Sequence, residues 1–192
     1  MVRKPREEVE GGVFHVFARG NDQRLVFHDD LDRRRYLRTL QSAVEDRRWR
    51  LLAYCLMDNH VHLLVETPNA NLGDGMRWLH GTYAGSFNKR HGRSGHVFQG
   101  RYGAVRVKTD AQLWAVAVYI AMNPVDAGLC RLPEDWRWSS HPLVLAGTAP
   151  DWVDIPHLLE YLAPAGGDGR RRYAEAFLKG QTPLRVVEGS GA

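Results

Sequence analysis

His60 and His62 stand two residues apart in the run YCLMDNHVHLLVET, Tyr54 to Thr67. The run is apolar and β-branched, and alternate side chains on a strand share one face. The two imidazoles therefore project together, with Leu64 and Glu66 following them and Val61, Leu63 and Val65 on the opposite face. Side by side on a rigid strand, two imidazoles can clamp a metal ion at two points or hold a phosphate. A pair of structural histidines with satisfied ring nitrogens is the plainer alternative. A second constellation is Tyr119 and Asn123, spaced i, i+4 on one helical face, with Cβ atoms roughly 5–6 Å apart. A neutral phenol, with a pKa of roughly 10, attacks poorly and needs a base, a cation or a metal beside it. Asn123 offers an amide oxygen. Two imidazoles and one carbonyl oxygen leave open positions for phosphate oxygens and water, which suits Mg²⁺ or Mn²⁺ beside a scissile phosphate. Taken singly, Tyr119 also reads as a core tyrosine, and Asn123, just before Pro124, as a turn residue.

The elements that must position these residues follow from periodicity and punctuation. Val13 to Arg19 reads as a strand between Gly11-Gly12 and Gly20-Asn21-Asp22. Asp29 and Asp30 are candidate N-caps of a helix to about Arg48, built on Leu31, Tyr36, Leu37, Leu40, Ala43 and Val44. Arg50 to Met57 and His60 to Thr67 form a hairpin about Asp58-Asn59. Leu72, Met76, Leu79, Tyr83 and Phe87 mark a second helix that ends near His91-Gly92. Tyr102 to Lys108 is a further strand. Asp110 opens a third helix, buried through Leu113, Val116, Ala117 and Ile120, which Pro124 is expected to limit. The order β-α-β-β-α-β predicts an α+β fold: a ferredoxin-like antiparallel sheet with an added C-terminal helix that carries Tyr119 and Asn123. Three segments are expected: a flexible arm over 1–11, a catalytic domain over 12–145, and an extension over 146–192. The extension reads as a Gly/Pro-rich linker from Ala163 to Gly169, a short basic helix from Arg172 to Lys179, and a disordered tail from Val186.

A chain of 192 residues with 44% hydrophobic residues can bury a normal core. No apolar run reaches membrane-spanning length, and the charged start MVRKPREEVEGG lacks the apolar stretch of a secretory signal. Cys55 and Cys130 have no metal-type spacing and read as free thiols. The net charge is +4, and its distribution says more than its size. Between Asp74 and Asp110 there is no acidic residue, yet Arg77, Lys89, Arg90, Arg93, Arg101, Arg106 and Lys108 all fall there, with His80, His91 and His96. Such a block is either a solvated helix face or a phosphate-facing surface, and the missing acids favour nucleic acid.

Together, YCLMDNHVHLLVETP and YIAMNPVDAGL resemble the paired motifs of the single-tyrosine transposase family, the insertion-sequence type with a His-hydrophobic-His core. Within that family the likeness is to the REP-associated tyrosine transposases. GGVFHVFARGN, FNKRHGRSGHVFQGRY and EDWRWSS extend it from about Gly11 to Ser140. The resemblance implies that His60 and His62 bind a divalent metal, Mg²⁺ or Mn²⁺, with Asn123 as a third ligand. It implies that Tyr119 is the nucleophile of a Tyr-x-x-x-Asn/Gln motif. The implied activity is metal-dependent cleavage and strand transfer of single-stranded DNA at hairpin-forming repeats, through a covalent 5′-phosphotyrosine that leaves a 3′-hydroxyl. A cationic surface for such DNA would draw on Arg19, Lys89, Arg90, Arg93, Arg101 and Lys108, with Phe98 and Tyr102 as stacking candidates. The resemblance also implies a bacterial, cytoplasmic, nucleoid-associated protein, monomer or homodimer, with the monomer favoured. Ala121 and Asp126 depart from the family pattern, and Asp126 places a negative charge near the end of the DNA-facing helix. The competing readings are a domesticated hairpin-binding regulator that no longer cuts, and a hydrolase that uses water in place of Tyr119.

Overall fold

The computed structural model describes residues 9–163 and 167–178. Most of the expected arm, part of the linker and the tail from residue 179 lie outside the described residues. Four strands, β1 (Gly12–Arg19), β2 (Arg50–Leu56), β3 (His60–Thr67) and β4 (Gly103–Val107), form one antiparallel sheet in the order β2-β3-β1-β4. Helix α1 (Asp30–Arg47) links β1 to β2, and α2 (Leu72–His91) links β3 to β4. This is the expected ferredoxin-like arrangement, followed by the added helix α3 (Asp110–Asp126).

Local chemistry accounts for the ends of these elements. Asp29 caps α1 by accepting from the backbone N–H of Leu31 and Asp32, and Arg48 closes the helix in a left-handed conformation. Thr109 caps α3 through the N–H of Gln112. Helix α3 does not stop at Pro124, as expected, but runs on to Asp126. A proline this near the C-terminus removes only one late helical hydrogen bond, and the N–H groups of Ala127, Gly128 and Leu129 turn back onto the carbonyls of Asn123, Val125 and Pro124.

The sheet has two unlike faces. Phe14, Val16, Ala18, Val61, Leu63 and Val65 are buried in the core that also holds Tyr36, Leu40, Leu79 and Tyr83 of α1 and α2. His15, Phe17, Arg19, His60 and His62 alternate with them and therefore point to the other side, toward α3.

The chain after α3 is not an appendage. Leu56 donates its N–H to the Trp138 carbonyl, Ser140 to the Tyr54 carbonyl, and Asp154 to the Leu51 carbonyl, so the segment 138–154 lines the outer edge of β2. Helices α4 (His141–Ala146), α5 (Ile155–Leu162) and α6 (Gly169–Leu178) follow, and Val144, Val153, Ile155, Leu158 and Tyr173 join the one core. The boundary expected at residue 145 thus falls inside a continuous packing unit, because the few apolar residues that bind 146–178 to the rest are spread too thinly along the sequence to mark it.

Candidate active site

β1 and β3 set the site by register. Phe17 lies opposite His62, and Arg19 opposite His60, while His15 is diagonal to His62 across the pair. Tyr119 and Asn123 come down from α3 onto the same face. Phe17, Ala18, Arg19, His60, His62, Tyr119 and Asn123 line a cleft of about 240 Å³. The two constellations singled out in the sequence therefore meet.

Hydrogen bonds fix the orientation of both amides in the cleft. Asn59 donates its Nδ2 to the Gln23 carbonyl at 3.2 Å, which turns its Oδ1 toward His60 Nδ1 at 2.7 Å. Asn123 donates its Nδ2 to the Tyr119 carbonyl at 3.1 Å, which turns its Oδ1 toward His60 Nε2 at 3.3 Å. A neutral His60 that donates from Nδ1 to Asn59 holds a lone pair on Nε2, and that lone pair faces a lone pair of Asn123. Only a second proton or a cation reconciles the two atoms. The 3.3 Å between them is short enough for one cation to be held by both.

His62 points the same way. It is 1% exposed, its Nδ1 pairs with His15 Nε2 at 3.0 Å, and its buried Nε2 has no hydrogen-bond partner among the described residues. Burial holds its imidazole well below the ordinary histidine range, with His15 and His60 adding to that effect and the nearby Asn123 amide opposing it. Burial also takes His15 down to about 4. Both rings are thus neutral near pH 7, the form in which imidazole binds metals. One imine nitrogen left orphaned beside an acceptor–acceptor contact is a donor set suited to a small hard or borderline cation. Tyr119, half-buried, sets its ring edge-on to both His62 at 5.4 Å and His15 at 5.6 Å.

Comparison with known proteins gives the family. The family described as IS200-like transposases matches residues 8–123. The chain belongs to that family. It is 26% identical over 170 residues to a Haemophilus influenzae protein described as a candidate REP-associated tyrosine transposase, covering 80% of this chain and 94% of that one. A solved structure, a REP-associated tyrosine transposase bound to a REP hairpin, superposes with a TM-score of 0.64 at 20% identity, covering 81% of this chain and 93% of that one. The likeness to REP-associated tyrosine transposases drawn from the motifs therefore holds, and the protein is an enzyme of the class that cuts and rejoins DNA. Among the described residues, no helix is long and apolar enough to cross a membrane.

The remaining expected residues divide by their surroundings. Arg19 lines the cleft and is exposed, and its carbonyl accepts from Gln99, which ties the glycine-rich loop 92–102 to the mouth of the site. Lys89, Arg101 and Lys108 are exposed. Arg93 lays its guanidinium over the Phe87 ring at 5.6 Å. Arg90 is committed elsewhere. It reaches Asp29 at 2.6 Å and Asp32 at 2.5 Å, and so fastens the end of α2 to the start of α1. Phe98 and Tyr102 are buried at 6% and 7% exposure, with Phe98 stacked on His80, so they do not present stacking surfaces. Glu66, on the histidine face, is taken up by Arg50, His157 and Tyr161. A separate cluster of His28, Asp32 and His91 has the makings of a metal site, but its carboxylate already carries Arg90 and His91, and the arginine charge opposes a cation there. Reading the sequence alone missed His15. Its signal was present: one histidine midway along an otherwise apolar strand must find a partner for its ring, and it shares the parity of Phe17 and Arg19.

Proposed function

We propose that this transposase is a metal-dependent endonuclease and strand transferase that acts on single-stranded DNA at hairpin-forming repeats. The hairpin substrate is carried over from the bound REP hairpin of the superposed structure. The observation behind the proposal is the convergence of His60 Nε2, Asn123 Oδ1 and the orphaned His62 Nε2 in one cleft with Tyr119. His60, His62 and Asn123 would hold Mg²⁺ or Mn²⁺. Such an ion polarises the non-bridging oxygens of the phosphate and offsets the charge that develops on them.

The protein's own residues account for the rest of the reaction. Tyr119 is presented from α3, with its ring held by His15 and His62, so its hydroxyl enters the cleft with little orientational freedom left to lose. Its oxygen attacks phosphorus and gives up its proton. The bond from phosphorus to the 3′ oxygen breaks, and that oxygen takes a proton to become a 3′-hydroxyl. The 5′-phosphotyrosine link keeps the phosphodiester energy, so the reverse attack by a 3′-hydroxyl rejoins DNA without ATP. Arg19 at the cleft mouth contacts the phosphates that flank the scissile one, and Lys89, Arg93, Arg101 and Lys108 extend the cationic path. All four central residues come from one chain, which makes a monomer sufficient for one cleavage.

The test is a covalent-adduct assay with a labelled single-stranded hairpin, Mg²⁺ or Mn²⁺, and chelator. Wild type is expected to give a metal-dependent, protease-sensitive shifted band, and Tyr119→Phe none. Hairpin binding with no adduct in wild type would make the protein a regulator that binds without cutting. Cleavage that survives Tyr119→Phe would make water the nucleophile.

A further inference from the structure

His15 is a fully buried polar residue that the reaction as described leaves unexplained. Its Nε2 lies 3.0 Å from His62 Nδ1, and the two rings stack with centroids 5.2 Å apart. The far nitrogen of each ring, His15 Nδ1 and His62 Nε2, has no partner among the described residues. Two neutral rings sharing one hydrogen bond can adopt two arrangements. In one, His62 donates from Nδ1, its Nε2 lone pair faces the cleft, and His15 buries an unused Nδ1–H. In the other, His15 donates and His62 aims an Nε2–H at the cleft, where it would repel a cation. Each arrangement leaves the His15 Nδ1 side unused, and in the second the nearby Asn123 oxygen could accept the Nε2–H, so the hydrogen bond between the rings does not by itself select the metal-binding form. An apolar side chain at position 15 would avoid the buried orphan altogether.

Resting on the metal reading above, we propose that His15 is a positioning residue: it accepts the Nδ1–H of His62 and so holds His62 in the tautomer that presents Nε2 to the metal. A metal-ligating histidine generally needs such an acceptor behind it, most often a carboxylate or a carbonyl, and its loss typically costs about 10–100-fold in metal affinity. Here the acceptor is a second imidazole. Neither β1 nor β3 places a carboxylate beside His62. Its cross-strand neighbours are Phe17 on β1 and Cys55 on β2, and Glu66, on its own face, is occupied by α5. Stacking of the rings and the edge contact of each with Tyr119 make the pair a rigid platform under the nucleophile.

The experiment is Mn²⁺ titration of the full chain by calorimetry, without DNA, for wild type, His60→Ala, His15→Leu and His15→Gln, with a melting curve of each metal-free protein. Wild type is expected to bind, and His60→Ala to lose binding. His15→Leu is expected to bind about 10–100-fold more weakly while melting no lower than wild type. Glutamine carries an amide oxygen about where the imidazole Nε2 lies, so His15→Gln is expected to recover most of the loss. Equal affinity in wild type and His15→Leu, or a loss in His15→Gln as large as in His15→Leu, would overturn the proposal and leave the metal site standing. No Mn²⁺ binding by wild type would remove the metal reading and this proposal with it. Histidine ¹⁵N shifts of the Mg²⁺-loaded wild type give a reading independent of any variant: protonated Nδ1 on His62 is expected, and protonated Nε2 would refute the assignment.

Discussion

At the scale of single residues, the site works by controlling which lone pairs face the cleft. Asn59 and His15 stand behind His60 and His62, and each takes up the Nδ1 side of its ring. Asn123 brings a neutral oxygen to the pair of neutral imidazoles. Replacing that oxygen by a carboxylate keeps the shape and adds the charge that a hard cation prefers. Asn123→Asp is therefore expected to tighten Mn²⁺ binding near pH 8, on the order of tenfold, and Asn123→Leu to weaken it, both read by calorimetry. That His60 and His62, and Tyr119 and Asn123, would each share a face was legible from spacings of two on a strand and four on a helix; that the two pairs belong to one site came from the family resemblance of their motifs, not from spacing. His15 was not legible, because its partner lies across the sheet and depends on a register that spacing along one strand does not reveal.

At the scale of elements, the basic block separates into cations that face solvent and one that ties two helices together. Arg90 joins Asp29 and the buried Asp32, and these bonds hold the Asp29 carboxyl far below its usual range. Arg90→Ala is expected to lower the melting temperature and leave the salt dependence of hairpin binding unchanged. Arg101→Ala should do the reverse, keeping stability and reducing the slope of log K against log salt by about 0.7. Sequence could show that acids are missing between residues 74 and 110, but the acids that neutralise Arg90 come from α1, across the helix pair. Helix α2 also carries a titration. His80 is half-buried between Phe98 and Tyr36, and the loss of water around its ring brings its imidazole down to about 3. His141, between Tyr173 and Phe177, is held at about 4 in the same way. An unfolded histidine takes its proton near 6.5, so between there and about 4 the unfolded chain binds more protons than the folded one. Stability is therefore full above about pH 6.5 and falls as the solution is acidified through that window. Each such histidine contributes a slope of up to about 1.4 kcal/mol per pH unit. Urea melts of the metal-free protein should show this loss, and His80→Phe should flatten the curve by one histidine's share.

At the scale of the whole molecule, the two outer strands of the sheet are treated differently. β4, at the other end of the sheet, is only five residues long, with Val105 40% exposed. β2 is almost wholly apolar over Leu51–Leu56, and an open edge of that composition would pair with other chains. The segment 138–154 covers it with backbone hydrogen bonds at Leu51, Tyr54 and Leu56, and α5 fixes that cover through His157 and Tyr161 on Glu66. Of this cover only the bond from Asp154 belongs to the extension, which also packs Val153, Ile155, Leu158 and Tyr173 into the same core. Ending the chain after Ala146 should uncover the lower half of β2 and remove Val153, Ile155, Leu158 and Tyr173 from the core. The truncated protein is expected to be insoluble or to elute as large aggregates in size-exclusion chromatography. Leu158→Ala, in the full chain, asks the same question without cutting it. Leu158 is fully buried, so loss of its side chain should cost about 2–5 kcal/mol in urea unfolding, in one transition shared by probes on the sheet and on α5. Two separate transitions, or a soluble fragment 1–146 that still binds Mn²⁺ with wild-type affinity, would show that the extension folds independently and that the cover over β2 is dispensable. A single transition would mean that truncation acts on the active site through the stability of β2 and β3.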